Sequence, residues 1–319
     1  MIDPLPARRP LQPDASTLRV TIVGAGVVGH ATGVGLAATG CDVRFADTSP
    51  SKVRELVDQG LVATSVEAIG REPSDFYLLS VPTPTVADRP DLTHVRAAAA
   101  AVGEALRRAG QWACVVVRST VPPGTTENEV LPLLEAHSGA TAGIDFSVAV
   151  NPEFLRAVSA YDDFLNPRVI VLGVADEQAE QALRVLYAPW ADVPQHVMPL
   201  RTAESAKYVA NLFNATKISF FNELHRILSS LEVDSSVAIA TATAGAEGLW
   251  NPPYGTRGGA PFGGACLPKD LAGFIGMLAD LGIERPLLDA VQRVNDDLRD
   301  AATPDAAMVD TGESSEVCL

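Results

Sequence analysis

Lysine is scarce in this 319-residue chain: of 24 basic residues only Lys52, Lys207, Lys217 and Lys269 are lysines. With many Ala, Val and Pro, that bias reads as the coding habit of a GC-rich bacterial genome. Where arginine is the default cation, each remaining lysine marks a place that wants a compact ammonium rather than a planar guanidinium, or else a chance survivor on the surface. Cysteine is equally sparse. Cys41, Cys114, Cys266 and Cys318 stand far apart with no CxxC pair, which argues against a zinc site or a disulfide framework and suits a reducing compartment. Positive charge is in deficit, 24 basic against 39 acidic residues. A net charge of −15 and a pI near 4.7 argue against non-specific binding of nucleic acid or anionic membrane, though not against a small anionic ligand. No apolar run approaches the ~18 residues of a membrane helix. The opening MIDPLPARRPLQPD lacks the apolar stretch of a signal peptide. The expectation is a soluble, cytoplasmic protein.

What is present is a globular composition, 47% apolar and 20% charged. Single cores stop growing near ~250 residues, so two domains are expected. From residue 17, apolar strand-like runs (TLRVTIV, 41–47, 76–84, 112–120, 145–154, 168–173 and 195–200) alternate with helical stretches (a small-residue stretch after the glycine turn, up to 40, then 51–60, 92–109 and 176–189). That alternation predicts a parallel sheet covered on both faces, a Rossmann-type α/β domain over 17–201. From Thr202 to Leu231 there is neither Pro nor Gly, and apolar residues recur at helical spacing on more than one face. One helix of roughly 45 Å is expected there. Further helices are expected at 234–245, 268–281 and 286–300, separated by a Gly/Pro-rich loop at 245–265. An all-helical domain over 202–300 therefore follows the α/β domain, with flexible tails at 1–16 and 301–319. The surplus apolar surface of the long helix predicts a homodimer built on 202–231.

Gly24-x-Gly26-x-x-Gly29 sits between the first strand and a small-residue helix, the context a dinucleotide fingerprint requires. The first glycine makes the turn, the second lets backbone approach a pyrophosphate, and the third packs helix on strand, while the helix N-terminus, with Val27 and Val28, faces the phosphates. Asp47 ends the second strand about 20 residues on, where a carboxylate holds ribose hydroxyls and repels a 2′-phosphate. The expected cofactor is NAD. His30 lies beside the turn, with at most a bystander's role.

Chemistry is concentrated in SVPTPT (80–85), RSTVPPGTT (118–126), NPEFLRAVSAYDDFLNPRVIVLG (151–173), ESAKYVANLFNATKISFFNE (204–223) and FGGACLPKD (262–270). Lys207 and Asn211 are four apart and share a helix face. Cys266 and Asp270 are also four apart, with Pro268 where a helix can begin, and a thiol at a helix N-terminus is a better nucleophile. Cys41 and Cys114 begin apolar strands and read as core. Lys207 has a plainer alternative as the surface partner of Glu204, and Asp270 as a charge favoured by the helix dipole.

These segments resemble the UDP-glucose/GDP-mannose 6-dehydrogenase family of nucleotide-sugar dehydrogenases, over about residues 18–300. The resemblance implies oxidation of a sugar 6-hydroxymethyl group to a carboxylate with two NAD⁺ and no metal, in a dimer formed through the long helix. It implies Cys266 as the nucleophile that carries a thiohemiacetal and then a thioester, and Glu153 as acid/base around hydrolysis. Lys207 and Asn211 become stabilisers of the oxyanion, with Asp270 and Thr120 positioning water and protons. On the cofactor side it adds Lys52, Val81, Pro82, Thr83, Pro84, Ser119, Thr120 and Val121. On the substrate side it adds Phe154, Leu155, Arg156, Arg257, Phe262, Gly263 and Gly264. Two features depart from the family. Ala157 stands where a cofactor-facing Glu is common, and no glycine-rich strand follows the last predicted helix to begin the third, nucleotide-holding domain. Neither the sugar nor the nucleotide is named by the residues. Two other functions compete: a two-electron NAD-dependent hydroxyacid or sugar-acid dehydrogenase, which would not need Cys266, and a non-catalytic NAD-binding partner protein, which would not need to keep Cys266, Lys207 and Glu153.

Overall fold

The structure is a computed structural model and describes residues 17–301, so both expected tails, with Cys318, lie outside the described residues. The chain begins with β1 (Arg19–Val23), α1 (Val27–Ala38), β2 (Asp42–Asp47), α2 (Pro50–Asp58), β3 (Ala63–Ser65) and β4 (Phe76–Leu79). A hairpin, β5 (Thr85–Val86) and β6 (Arg89–Pro90), leads to α3 (Thr93–Ala109) and β7 (Cys114–Val117). A π turn at Thr126–Val130 opens into α4 (Leu131–Ser138), then β8 (Ser147–Val150), α5 (Ala160–Leu165), β9 (Ile170–Val174), α6 (Glu177–Leu186) and β10 (Gln195–Pro199). The rest is helical: α7 (Leu200–Ser230), α8 (Ser235–Gly245), α9 (Glu247–Trp250), α10 (Leu267–Asp280) and α11 (Pro286–Ala301). No helix among the described residues is long and apolar enough to cross a membrane.

Eight strands form one sheet in the order β10-β9-β8-β7-β4-β1-β2-β3. FYLL, CVVV and SVAV at its centre are buried at every position, the continuous apolar pattern of strands covered on both faces. Alternate side chains of β7 serve opposite cores. Val115 and Val117 join α3, α4 and the start of α7 on one face, whereas Cys114 and Val116 join Leu36, Leu183 and Trp190 on the other. Cys114 is thus core, and burial pushes its thiol pKa up.

The all-parallel expectation is corrected at one junction. β9 pairs antiparallel with β8, and β10 runs with β9. Residues 151–169, between β8 and β9, hold only the six-residue α5 and lack the face-covering helix that usually carries a parallel crossover. The strand expected through 154 stops at Val150, because Asn151 turns its side chain into the sheet edge and Pro152 lacks an N–H for the ladder. As a result, residues 151–169 all stay at the edge where β8 ends. The short strand β3, the β5–β6 hairpin and the helices α4 and α5 were not expected from sequence, being too short or too small-residue to show a period.

Of the described residues, 17–211 form one compact unit and 212–301 another, so the division falls inside α7. Leu200, Ala203, Glu204 and Lys207 are buried on the sheet domain, a helical i, i+3, i+4, i+7 stripe. The second unit has its own small core of Ile227, Leu278 and Leu288, with Phe220 and Phe274 against it. Buried Glu223 accepts hydrogen bonds from the backbone N–H of Leu287 (2.9 Å) and Leu288 (3.0 Å), capping the start of α11.

Glu204 does the same in the first unit. Its carboxylate accepts from the N–H of Gly124 and from that of Thr126 at 2.8 Å, fixing the loop that follows β7 onto α7. Glu204→Ala leaves both buried N–H groups unmade and is expected to lower stability by about 3 kcal/mol. Denaturant unfolding checks this, and an unchanged midpoint would mean that the loop is held by something else.

Candidate active site

The strand order reverses direction between β1 and β4, and ligands of such sheets bind in the crevice at that point. Gly24 has φ +95°, and a Cβ there would sit 2.5 Å from the Ser80 carbonyl oxygen. A Cβ on Gly29 would lie 1.9 Å from the Gly24 oxygen, so both glycines are required by the chain itself. Gly26 differs, because a Cβ there would meet nothing within 4 Å. It caps α1 without a side chain, which leaves the first-turn N–H groups facing open space. A pyrophosphate fits that cradle, and a side chain would fill it.

Asp47 holds the cradle from below. One carboxylate oxygen accepts from Ala25 N–H (2.9 Å) and the other from Ser49 N–H (2.8 Å). Two loops close the opposite wall. The Ser119 hydroxyl accepts from Val81 N–H (2.9 Å), and the Thr83 hydroxyl donates to the Thr120 carbonyl (2.8 Å). The cleft so formed, about 270 Å³, runs from Gly26–Val28 past 80–83 and 118–120 to Glu153. Pro84, Val121, Asp47 and Lys52 do not line this volume. Val121 is buried in the core, and Lys52 pairs with Glu55 at 2.8 Å on α2.

At the end of the cleft Glu153 meets Lys207, Oε1 to Nζ 2.9 Å, with the side chains only 11% and 9% exposed. The other Glu153 oxygen accepts from Leu155 N–H (2.6 Å), and Lys207 Nζ lies 5.7 Å from the centroid of the Phe154 ring. Glu204 is therefore not the partner of Lys207. Two charges taken out of water stabilise little by themselves but are costly to separate, so each holds the other in place. Asn211, one turn further along α7, is exposed.

Behind the cleft lies a second cavity of about 360 Å³ in the β8–β9 excursion. Phe154, Leu155 and Arg156 border it. Arg156 grips Asp163 through Nη2 (2.6 Å) and Nε (3.0 Å), which holds the Asp163 carboxyl well below its usual range. Arg118 borders both cavities, buried to 4% exposure, with Nη1 bonded to Asn151 Oδ1 and to the Tyr187 hydroxyl. Sequence reasoning missed Arg118, Glu204 and Arg168. For Arg118 a signal existed, a cation closing an otherwise apolar strand.

In the second unit, Cys266 is exposed at the N-cap of α10, with Pro268 in the first turn, and its carbonyl accepts from Asp270 N–H (2.8 Å). The Asp270 carboxylate pairs with Lys269. A Cβ on Gly263 or Gly264 would meet nothing within 4 Å, so the thiol stands beside open backbone. Phe262 N–H donates to the buried Asn295 side chain (2.7 Å), and Arg257 is exposed on the same loop.

The switch-point crevice, the glycine cradle and the carboxylate that ends β2 define an NAD-binding dehydrogenase core. The NAD-binding-domain model of the UDP-glucose/GDP-mannose dehydrogenase family matches residues 57–191, and that family's central-domain model matches residues 201–297. The chain belongs to this family. It is 35% identical over 301 residues to a GDP-mannose 6-dehydrogenase of Pseudomonas putida, covering 88% of this chain and 68% of that protein. The structure is similar to that of the GDP-mannose dehydrogenase from Pseudomonas aeruginosa, with a TM-score of 0.81 at 32% identity over 88% of this chain and 69% of that one. It is also similar to a UDP-glucose dehydrogenase from Pyrobaculum islandicum, with a TM-score of 0.69 at 37% identity over 90% and 69%.

If the Asp47 carboxylate at the end of β2 reaches the adenosine ribose, as expected from sequence, NAD⁺ is expected to bind at least about tenfold more tightly than NADP⁺, some 1.4 kcal/mol. Titration calorimetry with both cofactors checks it. Equal affinities would show that Asp47 does not reach the ribose.

Proposed function

We propose that this protein oxidises the 6-hydroxymethyl group of a nucleotide sugar, UDP-glucose-like in chemistry, to a carboxylate in four electrons. The buried Glu153–Lys207 pair at the end of the cofactor cleft is the observation that carries the reading. The relatives named above are GDP-mannose and UDP-glucose dehydrogenases, which supports the substrate class.

When bound, NAD⁺ supplies the hydride acceptor for both oxidations. The first removes a hydride and a proton from the alcohol and leaves an aldehyde. The Cys266 thiolate adds to the aldehyde carbon, giving a hemithioacetal oxyanion for which Lys207 and Asn211 supply positive charge and N–H donors. Loss of the second hydride from that carbon leaves a thioester. Water, deprotonated by Glu153 and positioned by Thr120 and Asp270, attacks the thioester carbon, the C–S bond breaks, and carboxylate and free thiol result. Phe154, Leu155 and Arg156 contact the sugar, together with the open loop of Arg257, Phe262, Gly263 and Gly264. Lys52 and Pro84 contribute on the cofactor side. A reducing cytoplasm keeps the exposed thiol available.

The protein further acts as a homodimer through α7. Val209 (66% exposed), Leu212 and Phe213, at i, i+3, i+4 spacing, form an apolar band that a single chain leaves in water. Sedimentation at micromolar concentration is expected to give twice the chain mass, and a monomer would remove this part of the reading.

Substitution separates the chemical steps. Cys266→Ser is expected to keep some alcohol-to-aldehyde turnover and lose carboxylate formation, because a serine ester forms and hydrolyses poorly. Glu153→Gln is expected to stall at the thioester, so intact-mass spectrometry with substrate and NAD⁺ shows an added acyl mass that Cys266→Ser lacks. Wild type should yield two NADH per carboxylate. Carboxylate made by Cys266→Ser at near wild-type rate would sink the thioester route in favour of a two-electron dehydrogenase.

A further inference from the structure

We propose that the cavity in the β8–β9 excursion is a binding site for a small organic oxyanion, with Arg118 as its buried counter-charge and Arg168 at its mouth. Arg118 is 96% buried, yet both of its hydrogen-bond partners, Asn151 and Tyr187, are neutral. Its Nε has no partner at all, and among the described residues it makes no ion pair. A buried cation without a carboxylate is costly, and a protein holds one where something else brings the negative charge.

The acids around the cavity cannot serve. Glu153 is held by Lys207 at 2.9 Å and Asp163 by Arg156 at 2.6 Å. Arg168 borders the same cavity, is exposed, and has no ion pair among the described residues. The uncompensated charges in the lining are therefore both positive, in a chain of net charge −15. That opposition of local and overall sign marks a site rather than a general field. Phe164, 5.7 Å from the Arg118 guanidinium, joins Tyr187 and Trp190 as an apolar wall, and about 360 Å³ accommodates a compact body carrying one carboxylate or phosphate. Arg118 and Glu153 also border the cofactor cleft, but the cradle for the cofactor phosphates lies at Gly26, at the other end of that cleft. The site adjoins the sugar site proposed above and shares Glu153, Phe154, Leu155 and Arg156 with it, but it does not rest on the cysteine chemistry.

The test is calorimetric titration of the full chain at constant ionic strength, with and without saturating NAD⁺. D-glucuronate serves as the carboxylate probe, glucose 6-phosphate as the phosphate probe and glucose as the neutral one. At least one anion is expected to bind saturably, glucose not to, and NAD⁺ not to displace it. Which anion binds identifies the head group. Arg168→Gln, an exposed change that leaves the fold alone, is expected to weaken the anion at least about tenfold while NAD⁺ affinity stays put. Arg118→Gln is expected to abolish binding if it folds. Absence of binding by both anions, equal binding of glucose, displacement by NAD⁺, or an unchanged affinity in Arg168→Gln would each overturn the proposal. Loss of the two-NADH stoichiometry would instead overturn the proposed activity and leave this site standing.

Discussion

A strand buried on both faces cannot carry a charge along its length, and in this molecule the chemistry begins where such strands end. β1 is followed at once by Gly24, β4 by Ser80, β7 by Arg118 and β8 by Asn151, while β2 ends on Asp47 itself. Every one of these residues lies on the same edge of the sheet. The cost of desolvating polar groups expels them from the strand interiors. The parallel run of β2, β1, β4, β7 and β8 makes the places of expulsion coincide. A cleft for a dinucleotide is what that coincidence leaves.

Helix α7 adds charge to the edge from outside the sheet. It does so because its first two turns are packed by a mixed stripe, two apolar residues and two ionised ones. Glu204 is neutralised by backbone N–H groups of the loop after β7, and Lys207 by Glu153 from the loop after β8. Neither charge could be buried alone. The helix is thus registered against two loops at once, and the two residues that follow Arg118, Ser119 and Thr120, are held in turn by contacts to Val81 and Thr83. Thr120 and Lys207 owe their positions to polar contacts made between different elements, in each of which removal of one member exposes an unmade partner.

The reversal at β9 has a similar logic on a larger scale. A crossover that kept β9 parallel would have carried residues 151–169 away over the face of the sheet. The short excursion instead returns them along the edge, and a cavity with unpaired arginine charge opens beneath. Sequence periodicity could not announce this, because direction within a sheet is a property of the connection and its packing rather than of the strand.

Local features were legible from the residues alone. The glycine turn, the acid that ends β2 and the length of α7 each depend on neighbours within a few positions, and backbone sterics or helical spacing determine them. The structure alone decided which charges meet. Lys207 has Glu204 one turn away on its own helix, yet its partner is Glu153, 54 residues earlier, because burial of α7 turns Glu204 toward the N–H groups of Gly124 and Thr126. Arg118 carries no sequence motif of its own, and its uncompensated charge exists only because Asn151 and Tyr187 arrive at it from two other elements. Side-chain identity and spacing set what can happen within a turn of helix or a tight loop. Long-range desolvation, which depends on every element packed nearby, determines which polar groups must find each other.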